Sequence, residues 1–408
     1  MKVAVIGGGA SGLMSAIFSA KNGNDVDLFE ANEKVGKKIY ITGKGRCNVT
    51  NASDTNDIMQ QVVNNSKFLY SSLYSFSSED TINFFENAGV PIKIERGNRA
   101  FPASDKSSDI ISALLNKCNN LGVKIHLNSK VVEIKKNDDK FDITTIHGIY
   151  SMYDATIICT GGCTYSATGS TGDGYRFAKS FGHSVTKISP ALVPVLLNDG
   201  YVKELEGLSL KNVKLMSFVD GKKFKEFFGE MLFTSNGISG PIALSMSSYI
   251  NRQTNISLKL DLKPALDNNK LQARIVRDID NLREKQISTL LCGLLPKSLA
   301  SVFILKLGFD EKRKCKTLNT KEIDKIVNLL KNFDLNYRSL DKLDYGIITS
   351  GGVNVSEVNP RTLESKLISG LYFAGEVLDV DALTGGYNLQ IAFATGHLAG
   401  LNAGNTKA

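Results

Sequence analysis

The sequence predicts an α/β fold in which one domain is opened, interrupted by an insert, and completed near the C-terminus. Three observations predict it. The chain starts on the apolar run KVAVI, followed by a helix-spaced segment and a second run, VDLF, which is a βαβ start. From about Pro190 that texture gives way to short alternating runs and then to helical periodicity. LISGLYFAGEV then restores the buried-strand-then-glycine pattern of the opening.

Taken in order, residues 2–6 are expected to form a buried strand, 10–22 a helix and 26–29 the next strand. Asp109 to Leu121 places Ile110, Ile111, Leu114 and Leu115 on one helical face, and VKIHL and KVVEIKK follow as strands. DATIICTGG ends another buried strand on glycines. In the insert, LVPVLL, VKLMSFVDGKKFKEF and TNISLKLDL read as strands, with Asp220-Gly221 a hairpin signal. KLQARIVRDIDNLREKQISTLLCGLLP and NTKEIDKIVNLLKNF have helical spacing, and Thr320, Glu322 and Asp324 mark a helix start. The division this suggests is 1–190 and 337–408 for the split domain, with a strand-rich segment at 191–264 and a helical one at 265–336.

At 408 residues the chain exceeds one ordinary core, so two or three domains are expected. Its 42% hydrophobic and 22% charged residues are those of a globular protein. No apolar run reaches membrane-spanning length and the first residues already form a strand, so no signal peptide or membrane is expected and a cytoplasmic location follows. Six cysteines without C-x-x-C spacing read as reduced and packed, and no metal site is expected. A net charge of +8 points to an anionic partner without identifying it. The lysines look thinly spread, with runs only at Lys222-Lys223-Phe224-Lys225 and Lys312-Arg313-Lys314, which favours a solvated surface over a nucleic-acid stripe.

Gly7, Gly9 and Gly12 satisfy G-x-G-x-x-G between a strand and a helix. The first glycine permits the tight turn, the second lets a pyrophosphate approach, and the third lets helix and strand pack. Glu30, eighteen residues after Gly12, ends the second strand where a carboxylate accepts from both ribose hydroxyls of an adenosine. It would repel a 2′-phosphate, leaving FAD or NAD. Three further glycine turns, ITGKGRCNVTN (41–51), TGGCTYSATGSTGDGY (160–175) and GLYFAGEVLDVDALTGGYNLQIAFATGHLAG (370–400), decide for FAD, which is gripped along its whole length. A helix opening after Gly385-Gly386 near Tyr387 would favour negative charge at the pyrimidine end of a flavin. No second complete G-x-G-x-x-G follows a strand, so NAD(P)H, if used, docks transiently.

These strings, with RAFPASDKSSDI (99–110) and GEMLFTSNGISGP (229–241), resemble the three-domain bacterial flavoproteins of the BaiN/YhiN-like family, which also contains an aminoacetone oxidase, and the resemblance spans essentially the whole chain. It implies a glutathione-reductase-type FAD-binding Rossmann domain split by an insert with a β-barrel-like part and a helical part. Residue by residue, it implies FAD contacts at Gly7, Gly9, Ala10, Ser11, Gly12 and Glu30, and then at Lys38, Gly43, Arg46, Gly161, Gly375, Glu376, Asn388 and Leu389. Asp173 resembles an FAD-contacting position of the wider fumarate-reductase-like flavoproteins, and Val132 sits where such proteins pass the backbone near the adenine. Two positions depart from the pattern: Ser235 stands where LFTH is common, and Ala382 where DVDGxTGG is usual.

No side chain is nominated as the catalytic acid or base. Asn48 and Tyr387 are the substrate-facing candidates, Arg46 is open between pyrophosphate and substrate, and Cys47 reads as packed. Asp379 and Asp381 read as capping or ribityl-binding, and His126, His147, His183 and His397 lie away from the glycine turns. The resemblance implies an FAD-dependent oxidoreductase, with NAD(P)H-driven reduction of an activated C=C bond in a steroid-like enone as the leading reaction. A flavin amine or aminoketone oxidase using dioxygen is the alternative, and an FAD-dependent tRNA-modifying or flavin-sensor protein is the alternative of another class. A small-molecule substrate is expected, a nucleic-acid partner is not, and the oligomeric state is not legible.

Overall fold

The structure, a computed structural model, describes residues 1–404, and the predicted last segment (337–408) runs four residues beyond them. The chain divides into two units, Met1–Ala191 with Leu343–Ala408, and Leu192–Lys342.

The split unit is built on β1 (Lys2–Ile6), α1 (Ala10–Lys21), β2 (Asp25–Phe29), α2 (Ser107–Asn120), β3 (Lys124–His126), β4 (Ala155–Ile158), α3 (Asp173–Ser180), β5 (Leu371–Phe373) and α4 (Tyr387–Asn402). Its parallel sheet has the order β5-β4-β1-β2-β3, with Ile6 opposite Phe29 on one side and Ile158 on the other. The central strand is apolar because both its faces are covered: Val3, Ala4 and Val5 are fully buried. Helix α4 runs the whole length of α1. A Cβ on Gly396 would overlap the Ser11 carbonyl, and one on Gly400 would lie 2.5 Å from the Ser15 carbonyl, so two glycines set how closely the helices approach. This crossing brings the C-terminal segment back onto the opening βαβ.

Residues 192–342 form a second unit around one core shared by strands and helices, from Val195 and Phe233 to Leu291, Phe303 and Leu330. Its sheet has seven antiparallel strands. A long hairpin, Ser209–Val219 and Lys222–Thr234, turns at Asp220 and Gly221 with φ of 50° and 76°, the left-handed pair a two-residue hairpin loop requires. Phe333–Leu335 pairs with Ile256–Asp261 at one edge and Tyr337–Leu340 pairs with Val195–Leu197 at the other. One chain segment broken only at Asn336 thus serves both edges, and the sheet curls toward closure. The helices are Asn268–Asn281, Ile287–Leu294, Lys297–Leu307 and Thr320–Lys331, the last started by Asn319 and Glu322 in a reciprocal capping box. Among the described residues no helix is long and apolar enough to cross a membrane.

Candidate active site

The site lies at the carboxyl ends of the parallel strands, where β1 is flanked by β2 on one side and β4 on the other; this is the switch point at which α/β sheets bind ligands. Gly7 turns the chain at φ 105°, and a Cβ there would sit 2.6 Å from the Cys159 carbonyl oxygen. A Cβ on Gly12 would overlap the Gly7 carbonyl, so α1 rests directly on that turn. Gly9 is different, because a Cβ built on it meets no protein atom within 4 Å. Gly7 and Gly12 are therefore required by the fold, whereas Gly9 leaves open space before the first-turn N–H groups at Ala10 and Ser11.

Glu30 is buried at the end of β2. One carboxylate oxygen accepts from the Gly8 N–H at 2.7 Å, and the other accepts from the Asn32 N–H at 2.8 Å and the Asn32 amide at 2.6 Å. The acid is thereby held beside the glycine turn, in the place the spacing assigned to it.

Lys38 and Glu376, expected as separate cofactor contacts, hold each other. Lys38 Nζ donates to Glu376 at 2.7 Å and to Thr164 Oγ1 at 2.9 Å, and Glu376 also accepts from the Thr349 N–H at 2.8 Å. This ion pair ties the segment after β2, the turn after β4 and the turn after β5 into one ring. Arg46 is likewise committed within the protein: its Nε donates to Asp105 at 2.7 Å, its Nη2 pairs with Glu95, and its guanidinium lies 4.2 Å from the Phe101 ring centre. Lys93 and then Arg46 hold the Asp105 carboxyl below the usual carboxylate range. The family strings around 46 and 100 meet in this cluster, with Thr50 paired opposite Ala100.

Gly43 and Gly161 take positive φ, 57° and 72°, and Gly375 takes 79° while its N–H donates to Thr395 Oγ1 at 3.0 Å. Asn388 pins the preceding loop by accepting from the Ala382 N–H at 2.9 Å and donating to its carbonyl at 2.8 Å. Leu389 packs half-buried on the core. Tyr387 opens α4, and burial pushes its hydroxyl above the usual tyrosine range. Asp173 opens α3, accepts from Thr171 Oγ1 at 2.8 Å and pairs with Lys130 and Arg176. Val132 falls at a bulge, and its carbonyl accepts from Arg176 at 2.7 Å. Asn48 Oδ1 and Thr160 Oγ1 are among the side-chain oxygens buried without a hydrogen-bond partner in the protein. Burial pushes the Cys47 thiol up to about 12, so it is packed and not a thiolate.

Sequence reasoning passed over Thr50, Asn51 and Gln390. Gln390 Oε1 accepts from Thr50 Oγ1 at 2.7 Å, and Asn51 donates to the Gly385 carbonyl at 3.0 Å, locking 41–51 to the start of α4. Thr50 and Asn51 lie inside the string TGKGRCNVTN, whose polar ending was the available signal. Of the two departures, Ser235 is exposed in the turn after the long hairpin, and Ala382 is buried in a two-residue strand opposite Val62.

FAD fits these residues. The open face of Gly9 and the first turn of α1, beside the buried Glu30, form a cradle in which a Cβ at Gly9 would meet no protein atom within 4 Å. Gly9, Ala10, Ser11 and Glu30 would hold the adenosine diphosphate part. Bound there, FAD would supply two-electron hydride chemistry, with the protein providing orientation and electrostatics.

Fold and site define an FAD-dependent oxidoreductase. The chain belongs to the family described as HI0933-like protein Rossmann domain, which matches residues 1–402. It is 30% identical to the 3-dehydro-bile acid delta(4,6)-reductase of Clostridium scindens, over 98% of each chain. It is also 30% identical to the ribosomal RNA dihydrouridine synthase of Haemophilus influenzae, over 98% of this chain and 97% of that one. Among solved structures, the 3-ketosteroid delta1-dehydrogenase of Sterolibacterium denitrificans shares the fold, with a TM-score of 0.53 at 13% identity over 98% of both chains.

Proposed function

We propose that this protein is an NAD(P)H-driven reductase of a carbon–carbon double bond conjugated to a carbonyl, and that its substrate is a uracil ring in ribosomal RNA. The observation that carries the reaction is that two relatives of equal identity, both matched nearly end to end, bear names describing one bond chemistry. A delta(4,6)-reductase acting on a 3-dehydro compound saturates ring double bonds conjugated to an oxo group. A dihydrouridine synthase saturates the uracil C5=C6 bond, conjugated to the C4 carbonyl. In the reaction proposed for this chain, a hydride from the nicotinamide ends at uracil C6, the carbon β to the C4 carbonyl, a proton adds at C5, and NAD(P)⁺ and the dihydrouracil product leave.

Charge supports RNA over a steroid. Residues 192–342 carry 25 Lys and Arg against 17 Asp and Glu, whereas the rest of the chain carries 24 of each. The whole excess of +8 sits on the insert, which suits a polyanionic substrate better than a small enone. This reading reverses the expectation against nucleic acid, which rested on lysines that look evenly spread until the chain is divided. Asn48 and Tyr387 are assigned to the substrate side. The Tyr387 hydroxyl stays protonated at neutral pH, since burial raises it further, and it can supply the α-carbon proton. A second reading, reduction of a steroid-like enone, is favoured by the Clostridium scindens relative.

Anaerobic stopped-flow mixing with NADH and NADPH, followed by ribosomal RNA or a 3-oxo-4-ene steroid, tests both. The proposal expects the flavin's visible band to bleach with a nicotinamide and to return with the RNA. Failure of both nicotinamides to bleach it would overturn the reductase reading. Return only with the steroid would establish the second reading.

A further inference from the structure

We infer that the outer face of the insert's sheet is a docking platform for single-stranded RNA, with Phe228 and Phe218 stacking on bases and Lys214, Lys223 and Lys259 taking phosphates. The inference rests on the RNA reading above and assigns it a surface. The long hairpin and its neighbour Ile256–Asp261 form three adjacent strands. Their alternation buries Leu215, Leu258, Leu260, Met231 and Phe233 on the core face.

The opposite face is fixed by the register. Lys223 stands opposite Phe218, Phe228 opposite Lys214, and Met216 opposite Lys259 on the third strand. Phe228 is 62% exposed, far from what a core phenylalanine shows, and the neighbouring Phe224, which the register leaves unpaired at a bulge, is 42% exposed. The only carboxylate on the strand between Lys223 and Phe228 is Glu226, and it is shared by Lys214 at 3.3 Å and Lys223 at 2.7 Å. Lys259 reaches Asp334 at 3.6 Å and lies 5.9 Å from the Phe218 ring centre. All three are exposed or half-exposed pairs, which polyanion phosphates can displace at little cost.

A sheet face that sets Phe218, Met216 and Phe228 among Lys214, Lys223 and Lys259 is one on which unstacked bases and their backbone can be held together. Aromatic rings accept any base, and the lysines track phosphates. The occupant is RNA because this unit carries all of the chain's excess positive charge, which a polyanion matches and a second copy of this equally basic unit would not.

The test uses the full-length holoprotein and a fluorescein-labelled, uridine-containing single-stranded RNA, followed by fluorescence anisotropy against salt. Phe228→Ser should weaken binding about 5- to 100-fold, the range for loss of one stacking ring. Lys223→Glu with Lys259→Glu should lower the slope of log affinity on log salt by about 1.4, two phosphate contacts' worth. FAD content and the rate of flavin reduction by the nicotinamide should not change in either variant. Wild-type binding that both variants retain would overturn the platform and leave the RNA reading standing. No RNA binding by the wild type, with the flavin still reoxidised by a steroid enone, would overturn both. A dimer lost in Phe228→Ser with RNA binding unchanged would identify the face as a self-contact and overturn the platform.

Discussion

Gly9 and Gly12 are three residues apart in one motif, yet their replacement by alanine should fail in different ways. Gly9 has φ −82° and ψ −167°, backbone that any residue adopts, and its added methyl meets no protein atom within 4 Å. In the apoprotein Gly9→Ala should therefore be neutral or stabilising by about 0.4–1 kcal/mol, from the smaller entropy of the unfolded chain. The same methyl projects into the space that a pyrophosphate would occupy. Crowding of that kind costs about 1–3 kcal/mol, so FAD affinity should fall about 5- to 150-fold. Gly12→Ala instead drives a methyl into the Gly7 carbonyl, with Cys159 Cβ only 3.3 Å away, and should destabilise the apoprotein itself by about 1–3 kcal/mol or more. Urea unfolding of the two apoproteins and calorimetric titration with FAD separate the effects. A Gly9→Ala protein that binds FAD like wild type, or whose apoprotein loses more than about 1 kcal/mol, would refute this account of the cradle.

Three further outcomes follow from particular side chains. His397 packs between Phe18 and Phe76 near Lys21 and Asp80, with Ser75 Oγ at 3.2 Å, and burial draws its pKa down to about 4. Between pH 6.5 and 4 the unfolded chain takes up a proton the folded one refuses, so stability should fall across that window, and His397→Leu should flatten the fall; an unchanged slope would contradict this. Burial pushes the thiols of Cys47, Cys118 and Cys159 up to about 12, so thiol reagents at mild alkaline pH should label exposed Cys292 first and Cys47 only on unfolding; labelling of native Cys47 at the rate of Cys292 would count against a packed role. Tyr387→Phe should leave flavin reduction by the nicotinamide intact and slow reoxidation by substrate about 10²-fold or more, whereas equal loss in both half-reactions would remove Tyr387 as proton donor.

What could be read from the sequence was local. KVAVI, the glycines after it and the acid ending the second strand signal over short distances, and each occupies the place assigned to it. Asp220-Gly221 could be read because the turn needs left-handed backbone at both residues. The helix start read from Thr320 onward is capped one residue earlier, by Asn319, since the capping side chain precedes the first helical residue. The helical reading of NTKEIDKIVNLLKNF overruns the helix, which ends at Lys331, and Phe333 is already in a strand; a short apolar run does not distinguish the two. Likewise Tyr337–Leu340, read as a return to the first domain, pairs inside the insert, with the units parting between Lys342 and Leu343. Partners could not be read at all. Lys38 and Glu376 are 338 residues apart, and the sequence specifies their charges but not that they meet. Separations of 49 and 59 residues likewise hid Arg46 from Glu95 and Asp105, and the charge asymmetry was hidden until the boundaries were known.

The most direct test of the central claim is chemical. Ribosomal RNA from cells lacking this gene would be incubated anaerobically with the FAD-loaded protein and NADH or NADPH, digested to nucleosides, and analysed by mass spectrometry. The account predicts dihydrouridine, a uridine heavier by two hydrogens, formed in proportion to nicotinamide oxidised. Nicotinamide-reduced protein that leaves every uridine unchanged while reducing a 3-oxo-4-ene steroid would contradict it.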